Sequence, residues 1–329
     1  MKLGFVSPMP PAPSGVADYS AGLVAELRRH AEVDVVARPR AGYDHWIYQV
    51  GNNPLHREAY RGALETPGVT VLHDAVLHHL LLGTLTEAAY VEEFVYNYGE
   101  WMRELAGELW RSRSRSASDP RYFDYPLLRR IVERSRAVVV HNPGARRRVE
   151  TAVPGARVVE IPHYFTPPRL PGAARETRDR LGIATNEVVI ATFGYLRDSK
   201  RIGSVLRALD VVRRGRFLLV GQFVSQELER ALEPWLRDPR VVRIGHVPED
   251  EFWKLAEITD IVINLRLPAA GETSGIGIRM MGIGKPVVVT ASEENAGFPD
   301  LSVVRVDAGE AEAEMLACYL RALSESEEM

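Results

Sequence analysis

The residues with the clearest capacity for chemistry lie in one short stretch, Gly271-Glu272-Thr273-Ser274-Gly275-Ile276-Gly277. An apolar run at 261–263 precedes it and reads as a strand. Pro268 and Gly271 break the regular pattern. Thr273 or Ser274 can cap the helix that follows, with Glu272 just ahead of it. Gly275 and Gly277 carry no side chains, so a ligand can approach the backbone there. Free N–H groups at a helix start suit a diphosphate. Arg279, one turn on, leans toward the helix N-terminus and can reach back to a phosphate or pair with Glu272. The same spacing also fits an ordinary turn whose small residues serve packing. Ile276, Met280 and Ile283 follow at i, i+4 and i+7 and form one buried face. Gly284-Lys-Pro then stops the helix before an apolar strand at 287–289.

Two further groups stand just past strand ends. A strand at 2–7 runs into a loop rich in Pro and Gly that contains Gly15, Asp18 and Tyr19, and a helix follows at about 16–29. Strand, glycine loop and helix form a phosphate or sugar site at the C-terminal edge of a parallel sheet. The loop is not G-x-G-x-x-G, so neither a nicotinamide nor a flavin is indicated. Asp18 near a helix start also reads as a cap. The strand at 69–72 ends in His73-Asp74, where side chains point into the ligand crevice of an open α/β sheet. His78 and His79 line the next helix. No matching ligand cluster lies elsewhere, so no metal is expected at these histidines. The single cysteine, Cys318, permits no intramolecular disulfide and reads as core within an apolar helix pattern.

The elements that must position these groups alternate strand and helix twice over. The 329 residues have room for about two domains. Strands are expected at 2–7, 33–37, 46–50, 69–72, 137–140 and 158–161. After a linker, Thr166 to Gly172, they resume at 188–193, 217–221, 241–247, 261–263, 287–289 and 303–306. One long helix is expected over 88–113, with Tyr90, Phe94, Tyr96, Tyr98, Trp101 and Trp110, ending in Arg111-Ser-Arg-Ser-Arg-Ser. Arg and Trp together suit anionic lipid headgroups, although a domain helix followed by a solvated loop fits as well. The composition, 46% apolar and 26% charged, is that of a globular protein. A net charge of −3 and the lack of any binding motif argue against nucleic acid. Residues 1–8 lack the long apolar region of a signal peptide and no apolar run is long enough to span a bilayer, so a cytoplasmic protein is expected.

Gly271-Glu-Thr-Ser-Gly, a helix, then Gly284-Lys-Pro-Val-Val-Val resembles the nucleotide-sugar site of retaining GT-B glycosyltransferases of the family-4 type (glycosyl transferases group 1). Asn264-Leu-Arg-Leu-Pro resembles a subgroup with an N-L-R-x-P run. Gly194-Tyr-Leu-Arg197-Asp-Ser-Lys200-Arg201 resembles the family's G-R-L-x-x-x-K-G, Gly245-His246-Val-Pro-Glu its base-side segment, and Ile161-Pro-His its crossover. The family's second Glu is missing: Arg279 or Met280 stands there. The first Arg of the phosphate loop is also replaced, by Tyr195, with Arg197 or Arg201 able to substitute.

The resemblance implies a GT-B architecture: two Rossmann-like doubly wound parallel-sheet domains facing a cleft. The domains are an acceptor-side domain at 1–166 and a nucleotide-sugar domain at 173–308. A terminal helix at 309–329 would cross back to the first. It implies a metal-independent retaining transfer from a nucleoside-diphosphate sugar, UDP- or GDP-linked, to an acceptor hydroxyl. No other cofactor is required. The acceptor would be a glycan, a lipid-linked molecule or a small molecule, with peripheral contact at the inner membrane face open to the chain.

The implied site residues follow. Glu272, His73 and Lys200 are catalytic, with Glu272 and His73 on the donor sugar. Gly15, Lys200, Arg201, Thr273, Ser274 and Gly275 bind the diphosphate. Arg279 and Arg197 contact ribose or phosphate, and Asp18 and Asp74 lie on the acceptor side. A departing nucleoside diphosphate gains charge as the glycosidic bond breaks, so cations held beside it stabilise the transition state more than the ground state. A nucleotide-sugar epimerase or hydrolase of the same fold, and a non-catalytic partner subunit, remain as alternatives.

Overall fold

A computed structural model describes residues 1–212 and 214–325. The chain divides into two compact units, Met1–His163 with Pro268–Thr273, and Tyr164–Leu267 with Ser274–Met329. Each is built on one six-stranded, wholly parallel sheet. In the first unit the strands are β1 (Lys2–Val6), β2 (Glu32–Val35), β3 (His45–Val50), β4 (Val69–Leu72), β5 (Ala137–Val140) and β6 (Val158–Glu160). In the second they are β7 (Val188–Phe193), β8 (Gly215–Val220), β9 (Val241–Ile244), β10 (Ile261–Asn264), β11 (Val287–Thr290) and β12 (Val303–Val306). Every expected strand is present, with ends moved by a few residues. The signal was strong because parallel strands covered on both faces must be apolar almost throughout. In β7, Ile190 packs into one core layer while Val189, Ala191 and Phe193 pack into another.

Strand order sets where a ligand can bind. The first sheet runs β2-β1-β3-β4-β5-β6, so the order reverses between β1 and β3. The second runs β12-β11-β10-β7-β8-β9 and reverses between β10 and β7. In doubly wound sheets the crevice opens at the carboxyl ends of the strands at that reversal. The loops after β1 and β3 frame it in the first unit. In the second the loops after β7 and β10 do so.

Four expectations are corrected. The long helix at 88–113 is two helices, Glu87–Tyr98 and Arg103–Arg111, separated by a short 3-10 turn, Glu100–Met102. Gly99, at φ +95°, turns the chain between them and leaves Trp101 80% exposed. Cys318 is exposed, because Glu312, Leu316 and Leu320 form the buried stripe of the terminal helix Glu312–Glu325 and Cys318 lies off it. That helix packs on the helix Ile202–Ala208 and on β12 of its own unit, and residues 326–329 lie outside the described residues. The segment Pro268–Thr273, expected in the second domain, belongs to the first unit. Ala75 N donates to Ala270 O at 2.7 Å, Arg148 Nη2 to Ala269 O at 3.1 Å and Asn142 Nδ2 to Gly271 O at 3.0 Å. Among the described residues no helix is long and apolar enough to cross a membrane.

Candidate active site

In the second unit the chain leaves β7 at Gly194, whose φ of +82° turns it sharply. A 3-10 turn, Asp198–Lys200, then folds Lys200 back so that its ammonium donates to the Phe193 carbonyl. The Lys200 side chain is buried. A Cβ at Gly194 would stand 3.3 Å from its Nζ, so the glycine leaves room for the ammonium as well as for the turn. Burial holds the Lys200 pKa well below the usual lysine range, and the charges of Arg266 and Arg197 lower it further. The sequence reading had not singled out Arg266. It follows β10, its N–H donating to Thr290 Oγ1 at 2.9 Å, and Leu267 N donates to Ser199 O at 2.8 Å. The loops after β7 and β10 are thus tied together at the reversal, with three cations gathered there. Arg197 lies over the Tyr195 ring, 5.6 Å from its centroid.

Arg201 is committed elsewhere. Its backbone is left-handed, φ +55°, and its Nε donates to both oxygens of the buried Glu312 carboxylate, at 2.9 and 3.2 Å. Its expected contact with a diphosphate therefore competes with a carboxylate already in place.

Ser274, not Thr273, caps the helix Gly275–Gly282: its Oγ accepts from Gly277 N at 3.2 Å and donates to Asn264 Oδ1 at 3.1 Å. Thr273 Oγ1 instead accepts from Asn142 Nδ2 at 2.9 Å. The two glycines separate the ligand and packing readings. A Cβ at Gly275 would meet nothing within 4 Å, whereas one at Gly277 would lie 3.1 Å from Asn264 Nδ2. Gly277 serves packing, and Gly275 leaves open space on its Cβ side at the start of the helix.

Arg279 does not reach back toward Gly275 or Glu272. It bonds to Glu249 and lies over the Phe252 and Trp253 rings, 4.1 and 4.4 Å from their centroids. Two aromatic faces and an acid in the first turn of a neighbouring helix outcompete the solvent-facing route. Trp253 Nε1 donates to the same Glu249 Oε1 at 2.8 Å, which fixes that acid beside Arg279. Glu272 accepts from Ala270 N at 2.6 Å, its carboxylate curling over its own loop. Along the ends of β8 and β9, Leu196, Gly221, Phe223, Arg243 and Gly245 line a cavity of about 600 Å³.

The first unit's crevice has different chemistry. Four rings converge: Tyr19 from the helix Gly15–Leu27, His73 after β4, His141 after β5 and His163 after β6. Tyr19 lies 4.9 Å from His73, 5.3 Å from His141 and 4.9 Å from His163, and His73 lies 5.1 Å from His141. His73 Nε2 bonds to Gln49 Oε1 at 2.6 Å. His141 Nδ1 donates to Ile161 O at 2.8 Å, which leaves Nε2 as an acceptor. Burial lowers both imidazoles, His141 to about 4 and His73 well below the usual range, so both are neutral at pH 7. Gln49 Nε2, His56 Nε2 and His141 Nε2 are buried polar atoms with no hydrogen-bond partner.

Around these groups Asp74 accepts from Asn52 N at 2.7 Å, and Ser7 and Ser20 share a hydrogen bond of 2.7 Å. Gly15 opens the first helix behind its cap Ser14, and a Cβ there would meet nothing. Asp18 is exposed in the first turn of that helix. Among the described residues no group of three His, Cys, Asp or Glu is placed to hold a metal ion. Gln49, His141 and His163 were not among the expected site residues, and Tyr19 was expected only as part of the loop after β1. A glutamine inside the apolar strand His-Trp-Ile-Tyr-Gln-Val and a histidine closing each of β4 and β5 were the available signals.

No family model matches the chain. No curated protein matches its sequence. Solved structures do match in fold. HepE of Anabaena, in complex with UDP-glucose, superposes with a TM-score of 0.66 at 17% identity, over 99% of this chain and 90% of that one. Sucrose-phosphate synthase of Thermosynechococcus elongatus gives 0.63 at 13% identity, over 99% and 92%. WaaG, a glycosyltransferase involved in lipopolysaccharide biosynthesis, gives 0.62 at 14% identity, over 98% and 90%. The two parallel sheets, their order and the near-complete coverage on both sides give this chain the fold of the GT-B glycosyltransferases.

Proposed function

We infer that the protein is a retaining glycosyltransferase moving a sugar from a nucleoside-diphosphate sugar to an acceptor hydroxyl. The observation that carries this reading is the gathering of Lys200, Arg197 and Arg266 at the reversal point of the second sheet. Three cations at one crevice call for an anion of more than one charge, and a diphosphate meets that demand. The neighbours in complex with UDP-glucose or UDP agree with it. The open space at Gly275 adds the start of the helix Gly275–Gly282 to the set. The cavity beside Phe223 and Gly245 is large enough for a base.

The reaction breaks the bond between the anomeric carbon and the diphosphate oxygen and forms one between that carbon and the acceptor oxygen. The cations take up the charge that develops on the departing diphosphate, so the transfer does not rely on a metal. The acceptor attacks the face the diphosphate leaves, and its proton goes to a phosphate oxygen. Glu272 hydrogen-bonds donor-sugar hydroxyls, with His73 beside the sugar. Neutral imidazoles, a phenol and an amide in the first unit suit an uncharged, hydroxyl-bearing acceptor group. The acceptor is a glycan, a lipid-linked molecule or a small molecule, and the reaction is cytoplasmic.

Calorimetric titration with UDP, GDP and ADP, followed by assays of UDP- and GDP-sugar turnover, tests the reading. Micromolar binding to one base and acceptor-dependent loss of its sugar nucleotide are expected. A second reading, a non-catalytic partner subunit, draws on Arg279 standing where the resemblance places an acid. Absence of binding to all three nucleotides would favour it.

A further inference from the structure

Arg201 is one of two non-glycine residues with positive φ among the described residues, the other being Leu127. It stands at the junction between the turn Asp198–Lys200 and the helix Ile202–Ala208, as the C-cap of one and the N-cap of the other. Its N–H closes the turn on Asp198 O at 3.0 Å, and its carbonyl accepts from Ser204 N at 2.9 Å. The backbone reversal at this residue therefore sets how the turn presents Lys200. A left-handed conformation disfavours any residue with a Cβ and persists only where its surroundings impose it. Its side chain has no capping hydrogen bond to the helix that follows. What it has is Glu312, the first residue of the terminal helix, whose side chain is 2% exposed.

A buried carboxylate on an arginine is a costly device for stability alone. Desolvation consumes much of the attraction, and apolar replacements commonly do as well. Here the carboxylate sits on one of the two non-glycine residues with a left-handed backbone among the described residues, more than a hundred residues away in sequence. We propose that Glu312 is a positioning residue: by gripping Arg201 it imposes the left-handed turn that holds Lys200 at the Phe193 carbonyl. The terminal helix thereby shapes the anion site of its own unit without touching the ligand. This rests on the reading of Lys200 as a diphosphate contact.

A double-mutant cycle tests it. A glycine at 201 takes positive φ without strain, so it removes the need for the grip. Binding of UDP, GDP and inorganic pyrophosphate is measured by calorimetry on the full chain for the wild type, Glu312→Gln, Arg201→Gly, the double variant and Lys200→Ala. Thermal melting is run alongside to confirm that each is folded. Glu312→Gln should weaken binding about tenfold in the wild-type background and less than twofold in the Arg201→Gly background. Equal losses in both backgrounds, or no loss in the first while Lys200→Ala binds poorly, would overturn the role of Glu312 alone. Lys200→Ala binding like the wild type, or no binding of any of the three anions by the wild type, would overturn the diphosphate reading and this inference with it.

Discussion

The two units carry the same kind of sheet and the same kind of crevice, yet the crevices differ in electrostatic character. In the second unit three basic residues, Lys200, Arg197 and Arg266, gather, and burial lowers the lysine pKa, with the two arginines lowering it further. In the first unit four rings and an amide meet, and burial keeps His73 and His141 neutral. Fold alone does not decide function. The side chains just past the strand ends do, and here they are basic in one unit and neutral and polar in the other. The gathering of cations has a cost in the absence of an anion, which the proposed diphosphate would relieve. The neutral crevice carries the opposite cost, in buried polar atoms that lack partners.

The largest effect that would break this contrast comes from the cationic side. Lys200→Ala should weaken nucleoside-diphosphate binding roughly thirtyfold, about 2 kcal/mol, the scale of one charged hydrogen bond. Unchanged affinity in calorimetry would remove Lys200 from the site. A companion measurement concerns protons. Burial lowers the Lys200 pKa in the ligand-free protein and an arriving diphosphate raises it again, so over the pH range in which the ligand-free lysine loses its proton, binding takes up a proton and weakens as pH rises. Titrations in two buffers of different ionisation enthalpy should show net uptake that is absent in Lys200→Ala. Equal uptake in the two proteins would place the proton elsewhere.

On the neutral side the test is pH. His141 has an ordinary value of 6.5 and falls to about 4 in the folded chain. The unfolded chain therefore binds more protons between those two values, and native stability rises with pH across the window. It is complete above pH 6.5 and is lost as pH falls toward 4. The contribution is on the order of 3 kcal/mol. His141→Asn should flatten the fall of melting temperature between pH 6.5 and 4, though carboxylate protonation keeps some slope. An unchanged slope would mean that His141 takes up its proton as readily in the folded chain as in the unfolded one, and that burial does not hold it neutral below pH 6.5.

The sheets were legible because their strands are short apolar runs punctuated by glycine, proline and polar strand ends, all local signals. The places of Lys200, Gly275 and His73 in the fold were legible for the same reason, since each stands just past a recognisable strand or at a helix start. What local pattern could not show was partnership. The ring cluster joins residues that follow β4, β5 and β6 and one from the first helix, and only the sheet order brings them together. The partner of Arg279 was expected on its own loop and is Glu249, thirty positions away. Gly99 reads as one weak position in a helical pattern, and only its backbone angle reveals a break.

The smallest expected effects sharpen the contrast most finely, because they separate two neighbouring glycines. Gly277→Ala places a Cβ 3.1 Å from Asn264 Nδ2, closer than that amide tolerates without shifting. The shift disturbs Asn264, to which the cap Ser274 donates. A loss of about 1 kcal/mol in denaturant unfolding is expected, the scale of a helix cap. Gly275→Ala meets nothing, and alanine is the better helix former, so stability should be unchanged or higher by a few tenths of a kcal/mol. Its methyl group projects over the helix N-terminus, so nucleotide affinity should fall severalfold all the same. A variant that folds at least as well as the wild type and binds the diphosphate less well is the signature of a glycine kept for a ligand. If Gly275→Ala instead binds as tightly as the wild type, the helix N-terminus has no part in the site, and the cations around Lys200 act on the diphosphate without it.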